Sequence, residues 1–185
     1  LVVAGGVIMS GCGTTVGAFH ELDGYRERLA ATDPQKVGTP SDEAMRAGVE
    51  RFIEFYEVYS AERIREQLTE IYAEDAYLRD PFREVRGHEE MLEYFLSAAE
   101  RVGDCRFHIT DWNERDGDIY LRWVMFLRTK KEPEGEGTET LGMTHLRLDE
   151  QGKVIFHMDY WDPTGPVYER VPVLSWIMKK VRSKL

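Results

Sequence analysis

Apolar positions recur every three or four residues through the first half of the chain and every two residues through the second. Thr39-Pro40-Ser41-Asp42 has a helix start's composition: Thr39 can cap, Pro40 suits the first turn, and Asp42 stands where a capping box wants an acid. Met45, Val49, Phe52, Ile53 and Tyr56 then form one apolar helical stripe. Ser60 predicts the cap of a second helix, with Ile64, Leu68, Ile71 and Tyr72 inward. The stretch Tyr77-Leu-Arg-Asp-Pro-Phe82 is extended but interrupted by Pro81, which predicts a short or edge strand. A third helix over 87–102 turns Met91, Leu92, Phe95, Ala99 and Val102 to the core. Beyond it the period falls to two, and strands are predicted over 105–113, 119–129, 140–148 and from Lys153 onward. Asp116-Gly117 is a hairpin signal, and Glu150-Gln151-Gly152 a turn. Helices first and an antiparallel meander afterwards define an α+β domain.

The last strand carries the strongest chemical signal. Side chains two apart share a face, so His157, Asp159 and Trp161 stand together, opposite the apolar set Val154, Phe156, Met158 and Tyr160. A titratable pair beside an indole, backed by a packed face, suggests a pocket wall. The competing reading is a strand that shows its Asp and His to solvent or to a second copy.

Two helices, the run Ile71-Tyr-Ala-Glu-Asp-Ala-Tyr-Leu-Arg-Asp-Pro-Phe82, Gly87, a third helix and a long meander resemble the nuclear-transport-factor-2-like superfamily. That superfamily includes SnoaL-like polyketide cyclases, ketosteroid isomerase and limonene-epoxide hydrolase. The resemblance runs from about Asp42 to the carboxyl end, with residues 39–185 as the domain. It implies a cone-shaped antiparallel sheet closed by three helices over an apolar pocket. On that pattern the expected lining is Tyr56, Tyr72, Asp80, Phe82, Phe95, Trp123, Met143, His145, His157, Asp159 and Trp161, around a hydrophobic small molecule. For Tyr56, Tyr72 and Phe95, plain core filling accounts for the same spacing.

The catalytic candidates are Asp80, His145 and Asp159. The resemblance places Asp80 at the mouth of the cone, where burial beside Phe82 would raise its pKa and fit it for proton transfer. Capping the turn before Pro81 is the alternative use. Leu141, Met143 and His145 share a strand face, and if that face looks into the cone His145 meets Asp159. The Asp-Arg-Asp set of limonene-epoxide hydrolase would be imitated most nearly by Asp80, Arg122 and Asp159, although Arg122 alternates with Trp123 and only one of those two can face the pocket. Isomerase, cyclase or hydrolase chemistry is one expectation; a non-catalytic ligand-binding or dimerisation module is the other. His145, His157 and Asp159 have no spacing that demands a metal, and no nucleotide-binding motif occurs, so neither metal nor cofactor is expected.

Composition narrows the partners. The 185 residues, 42% hydrophobic, suit one domain with a sizeable core, and a formal charge of −10 argues against nucleic acid. The charge is uneven: from Val173 to Leu185 there are Lys179, Lys180, Arg182 and Lys184 and no acid. Leu174, Ile177, Met178, Val181 and Leu185 recur there at helical spacing, with Trp176 at the boundary. Such a basic amphipathic helix either docks on its own domain or lies on an anionic membrane.

Cys105 suits a buried apolar position. Cys12 ends an apolar, small-residue run, and Met9-Ser-Gly-Cys12 resembles a lipobox with Cys12 as the acylated residue of a lipoprotein signal remnant over 1–12. The alternative is a start at Met9 and a cytoplasmic protein. Residues 13–38 carry no sustained period and are expected to be a linker or arm. A homodimer through the outward face of 119–129 is also expected.

Overall fold

A computed structural model describes residues 22–184; the lipobox expected over residues 1–12, with Cys12, lies outside them. Six strands form a single curved, unclosed sheet, β1 (Tyr72–Arg79), β2 (Glu84–Arg86), β3 (Val102–Arg115), β4 (Asp118–Thr129), β5 (Thr138–Leu148) and β6 (Val154–Trp161), in the order β2-β1-β6-β5-β4-β3. β3 to β6 are an antiparallel meander, whereas β1 runs parallel to β6 with Leu78 opposite His157. The first strand is thus interior to the sheet rather than at its edge. Pro81 falls in the turn to the short edge strand β2, where it interrupts no ladder.

Three helices cover the concave face: α3 (Asp42–Glu57), α4 (Ala61–Ile71) and α5 (Gly87–Arg101). Ser41, two residues beyond the predicted Thr39, caps α3 by accepting from Ala44 N at 3.2 Å, and Ser60 caps α4 through Arg63 N at 3.2 Å. Val49, Phe52, Phe55, Ile64, Leu68, Met91 and Phe95 are buried against Ile119, Leu121 and Leu146 of the sheet. The Asp116-Gly117 hairpin forms with both residues at positive φ, 56° and 85°.

The described part of the segment expected to be a linker or arm, residues 22–38, is largely helical. α1 (Asp23–Ala31) and the single turn α2 (Pro34–Val37) precede the domain, and α1 packs on the convex face. Tyr25 lies 5.9 Å from the Phe156 ring, and Arg147 donates to Leu29 O at 2.6 Å. Of the set assigned to the packed face of β6, Val154 and Phe156 are buried, Met158 is half-buried and Tyr160 is exposed. On the outer surface nearby, Leu141 is 75% exposed.

At the other end, α6 (Pro172–Arg182) follows a short 3-10 turn (Tyr168–Arg170) and buries none of its residues. No helix among the described residues is long and apolar enough to cross a membrane.

Candidate functional site

The concave face and α5 enclose a cavity of about 540 Å³, lined mainly by Tyr59, Leu78, Phe95, Phe107, Trp123, Met125, Leu127 and Trp161. Strand parity decides who enters it. On β4 the residues facing the helices are Ile119, Leu121, Trp123 and Met125; directly opposite Leu121 and Trp123 on β5 stand Thr144 and Gly142, and opposite those on β6 stand Asp159 and Trp161. Gly142 leaves room for the indole: a Cβ there would meet Trp123 ring carbon at 2.1 Å.

Asp159 is held on one oxygen. Its Oδ1 accepts from Thr144 Oγ1 and from His157 Nε2 (2.8 Å), and Thr144 Oγ1 in turn accepts from Trp123 Nε1 at 2.8 Å. His157, 1% exposed, presents Nδ1 to Tyr72 OH at 2.8 Å, and Tyr72 OH lies 2.7 Å from Tyr56 OH. With Nε2–H donating to Asp159, Nδ1 accepting from Tyr72 and Tyr72 accepting from Tyr56, every hydrogen of this buried chain has an acceptor. Burial pushes both phenols well above their ordinary pKa, so they hold their protons. Asp159 Oδ2 takes no protein donor among the described residues.

Asp80, just past the end of β1, makes the turn cap and also faces the cavity. Its Oδ1 caps the turn, accepting from Phe82 N and Arg83 N at 2.8 Å each, and Oδ2 accepts from Tyr94 OH of α5. Burial lifts its pKa above the ordinary carboxylate value, against the bonds from Tyr94, Arg83 and Phe82 and with the charge of Asp159 adding to the rise. Burial also raises the Tyr59 and Tyr94 phenols, and pushes the Cys105 thiol in the same wall up to about 12, which leaves that sulfur inert.

Of the residues expected here, Tyr56, Asp80, Phe82, Phe95, Trp123, Asp159 and Trp161 line the cavity. His157 lines a small void behind Asp159, and Tyr72 supports it from the core. Met143 and His145 do not belong to the set: the face they share is the convex one. His145 is paired with Tyr120 across the ladder, bonds Asp118 Oδ1 at 2.7 Å and lies on the opposite sheet face from Asp159. The Asp80-Arg122-Asp159 imitation also fails, because Arg122 is on the outer face, paired with Asp111. Thr144, Tyr59 and Tyr94 were missed. Tyr94 and Thr144 had signals, the first adjoining Phe95 on the inward side of its helix and the second two residues from buried Leu146.

No group of three or more His, Cys, Asp or Glu among the described residues could hold a metal ion. Arg170 closes the open end. It bonds Glu132, donates to Leu127 O at 2.9 Å and to Thr138 Oγ1 at 2.8 Å, and so straps residues 163–170 across the rim beside Phe82 and Trp161.

Fold and sequence agree on the class. Residues 43–157 match the model of the SnoaL-like domain, and the chain belongs to that family. It resembles an LEH-like epoxide hydrolase from M. tuberculosis (17% identity, TM-score 0.53, 67% of this chain and 86% of that one). A Catenulispora acidiphila protein with a ketosteroid-isomerase-like fold, solved with trimethylamine, is similar at 14% identity and TM-score 0.56 over 70% of this chain and 92% of that one. So is a nuclear-transport-factor-2-like protein of unknown function from Exiguobacterium sp. 255-15 (15%, TM-score 0.53, 62% and 98%). These identities speak for the fold alone. No curated protein matches the chain in sequence.

Proposed function

We propose that this protein binds an apolar small molecule in its cone and moves a proton on it, with Asp159 as the base and Asp80 as the acid. One observation carries the reading: two carboxyl groups, Asp159 bonded on Oδ1 alone and Asp80 bonded on both oxygens yet raised in pKa by burial, share one largely apolar cavity. Asp159 is fixed through Thr144 and His157 on Oδ1, with Oδ2 left to accept a proton. Asp80 has a raised pKa, and when it carries the proton its Oδ2 becomes a donor beside Tyr94, able to meet negative charge developing on a substrate oxygen. A volume near 540 Å³ lies within the roughly 300–1,000 Å³ of ordinary small-ligand sites. Proton removal next to a carbonyl, as in an isomerisation or an aldol-type cyclisation, needs these two groups and no cofactor.

The predominantly apolar wall also supports binding without turnover, and one experiment separates the two. The full chain is incubated in D₂O with a panel of enolisable apolar ketones, alongside Asp159→Asn and Asp80→Asn. Deuterium wash-in that both substitutions abolish, with ligand binding retained, supports catalysis. Binding with no exchange in the wild type leaves a carrier.

A further inference from the structure

We propose that α6 is an in-plane docking helix for an anionic phospholipid surface. Most of its apolar side is uncovered: Val173 is 68% exposed, Trp176 63%, and Leu174, Ile177 and Val181 are exposed with them, while Met178 is half-buried. In water such a stripe has a cost that burial against something removes. Its own domain does not provide the cover, since no residue of α6 is buried and the reach back to the body is made by Arg182, on Glu169.

Charge selects the occupant. The segment from Val173 holds four bases and no acid, in a chain of net charge −10. At 100° per residue, Lys180 borders one edge of the stripe and Arg182 the other, so bases flank the apolar side where lipid headgroups would lie. Trp176 sits at the same boundary, with Lys180 Nζ 4.9 Å from its ring centroid. An indole at the polar–apolar border with bases beside it fits the headgroup level of a bilayer. An acidic protein surface would satisfy the bases, but this acid-rich domain is such a surface and the helix is not laid on it. The helix continues from the 163–170 strap, so docking would bring the cavity rim to the lipid. The docking itself stands apart from the proton-transfer reading.

The test is co-sedimentation of the full chain carrying Cys12→Ser, which removes any acyl anchor, with vesicles of phosphatidylcholine alone or with 30% phosphatidylglycerol (about that fraction suffices to make the surface anionic). Binding to the anionic vesicles alone is expected, lost at high salt. Lys180→Gln should weaken it about fivefold, from about 1 kcal/mol for one base near a charged surface, and Ile177→Asp should abolish it. The melting temperature should stay unchanged, because α6 buries nothing. Equal binding to neutral vesicles, or none to either, overturns the proposal. A lowered melting temperature in Ile177→Asp would show the helix packed on its own domain, and a dimer that this substitution dissociates would show a second copy as the cover; each overturns it too.

Discussion

His157 Nε2 lies 2.8 Å from Asp159 Oδ1, a hydrogen bond between residues two apart on one face of β6. The ring is buried and its other nitrogen meets Tyr72, so the carboxylate at the cavity wall is oriented from the core. Replacing His157 with Ala leaves a void and takes the acceptor from the Tyr72 hydroxyl hydrogen. The fold should lose about 3–5 kcal/mol, from cavity and unmade-bond terms together. Urea unfolding measures it; a loss under about 1 kcal/mol would mean the chain of bonds is not formed.

Asp80 gives a pH dependence of definite sign. Its folded pKa is raised from 3.8, so between 3.8 and the raised value the native state binds a proton that the unfolded chain releases. This contribution favours the fold at low pH and is lost as pH rises through the raised pKa. The stability difference between wild type and Asp80→Asn should therefore shift against the wild type on going from pH 4 to pH 7. Carbon NMR of the Asp80 carboxyl provides a direct check: titration at or below 3.8 contradicts it.

Gly142 is a packing requirement of the site. Gly142→Ala should drive the Trp123 ring off the wall and break its bond to Thr144, costing about 1–3 kcal/mol as overpacking does. Near-UV circular dichroism should change, and ligand affinity with it. An unchanged Trp spectrum would refute this.

On the convex face, Asp118 accepts from both Arg147 Nε (2.6 Å) and His145, and Arg147 continues to Leu29 O of α1. Burial works against ionisation of Asp118, but those two partners outweigh it and hold its pKa below 3.8. The resulting stabilisation is present above the ordinary value and is lost as pH falls through the lowered one. Arg147→Ala should free α1, raising amide exchange across Asp23–Ala31 while the cavity residues keep theirs. Unaltered exchange there would show that α1 is held by its apolar contacts alone.

Much of this architecture was legible in residue spacing. The shared face of His157, Asp159 and Trp161 follows from strand period alone, and the cap at Ser60 from local chemistry; the first cap falls on Ser41 rather than Thr39. His145 was misplaced because parity on β5 cannot be read from hydrophobicity: Leu141 and Met143 make the convex side look like the core, while the concave side carries Gly142 and Thr144. What sets the face is the pairing with Leu121 and Trp123, a long-range fact. The reading of a short or edge strand likewise missed the interior place of β1, since Pro81 lies just past that strand and says nothing about its parallel neighbour.

That parallel pairing also bears on how the protein is made. Asp80 ends a strand near the middle of the chain, and the strand that completes its wall, with Asp159, is the last of the sheet to leave the ribosome. Until β6 inserts between β1 and β5, the inner edges of both are unpaired and the aromatic lining has no opposite wall. Pairings so distant in sequence form slowly, and the nascent domain must present an open apolar trough through most of its synthesis. Its dependence on a chaperone during translation should accordingly exceed that of a helical protein of equal size.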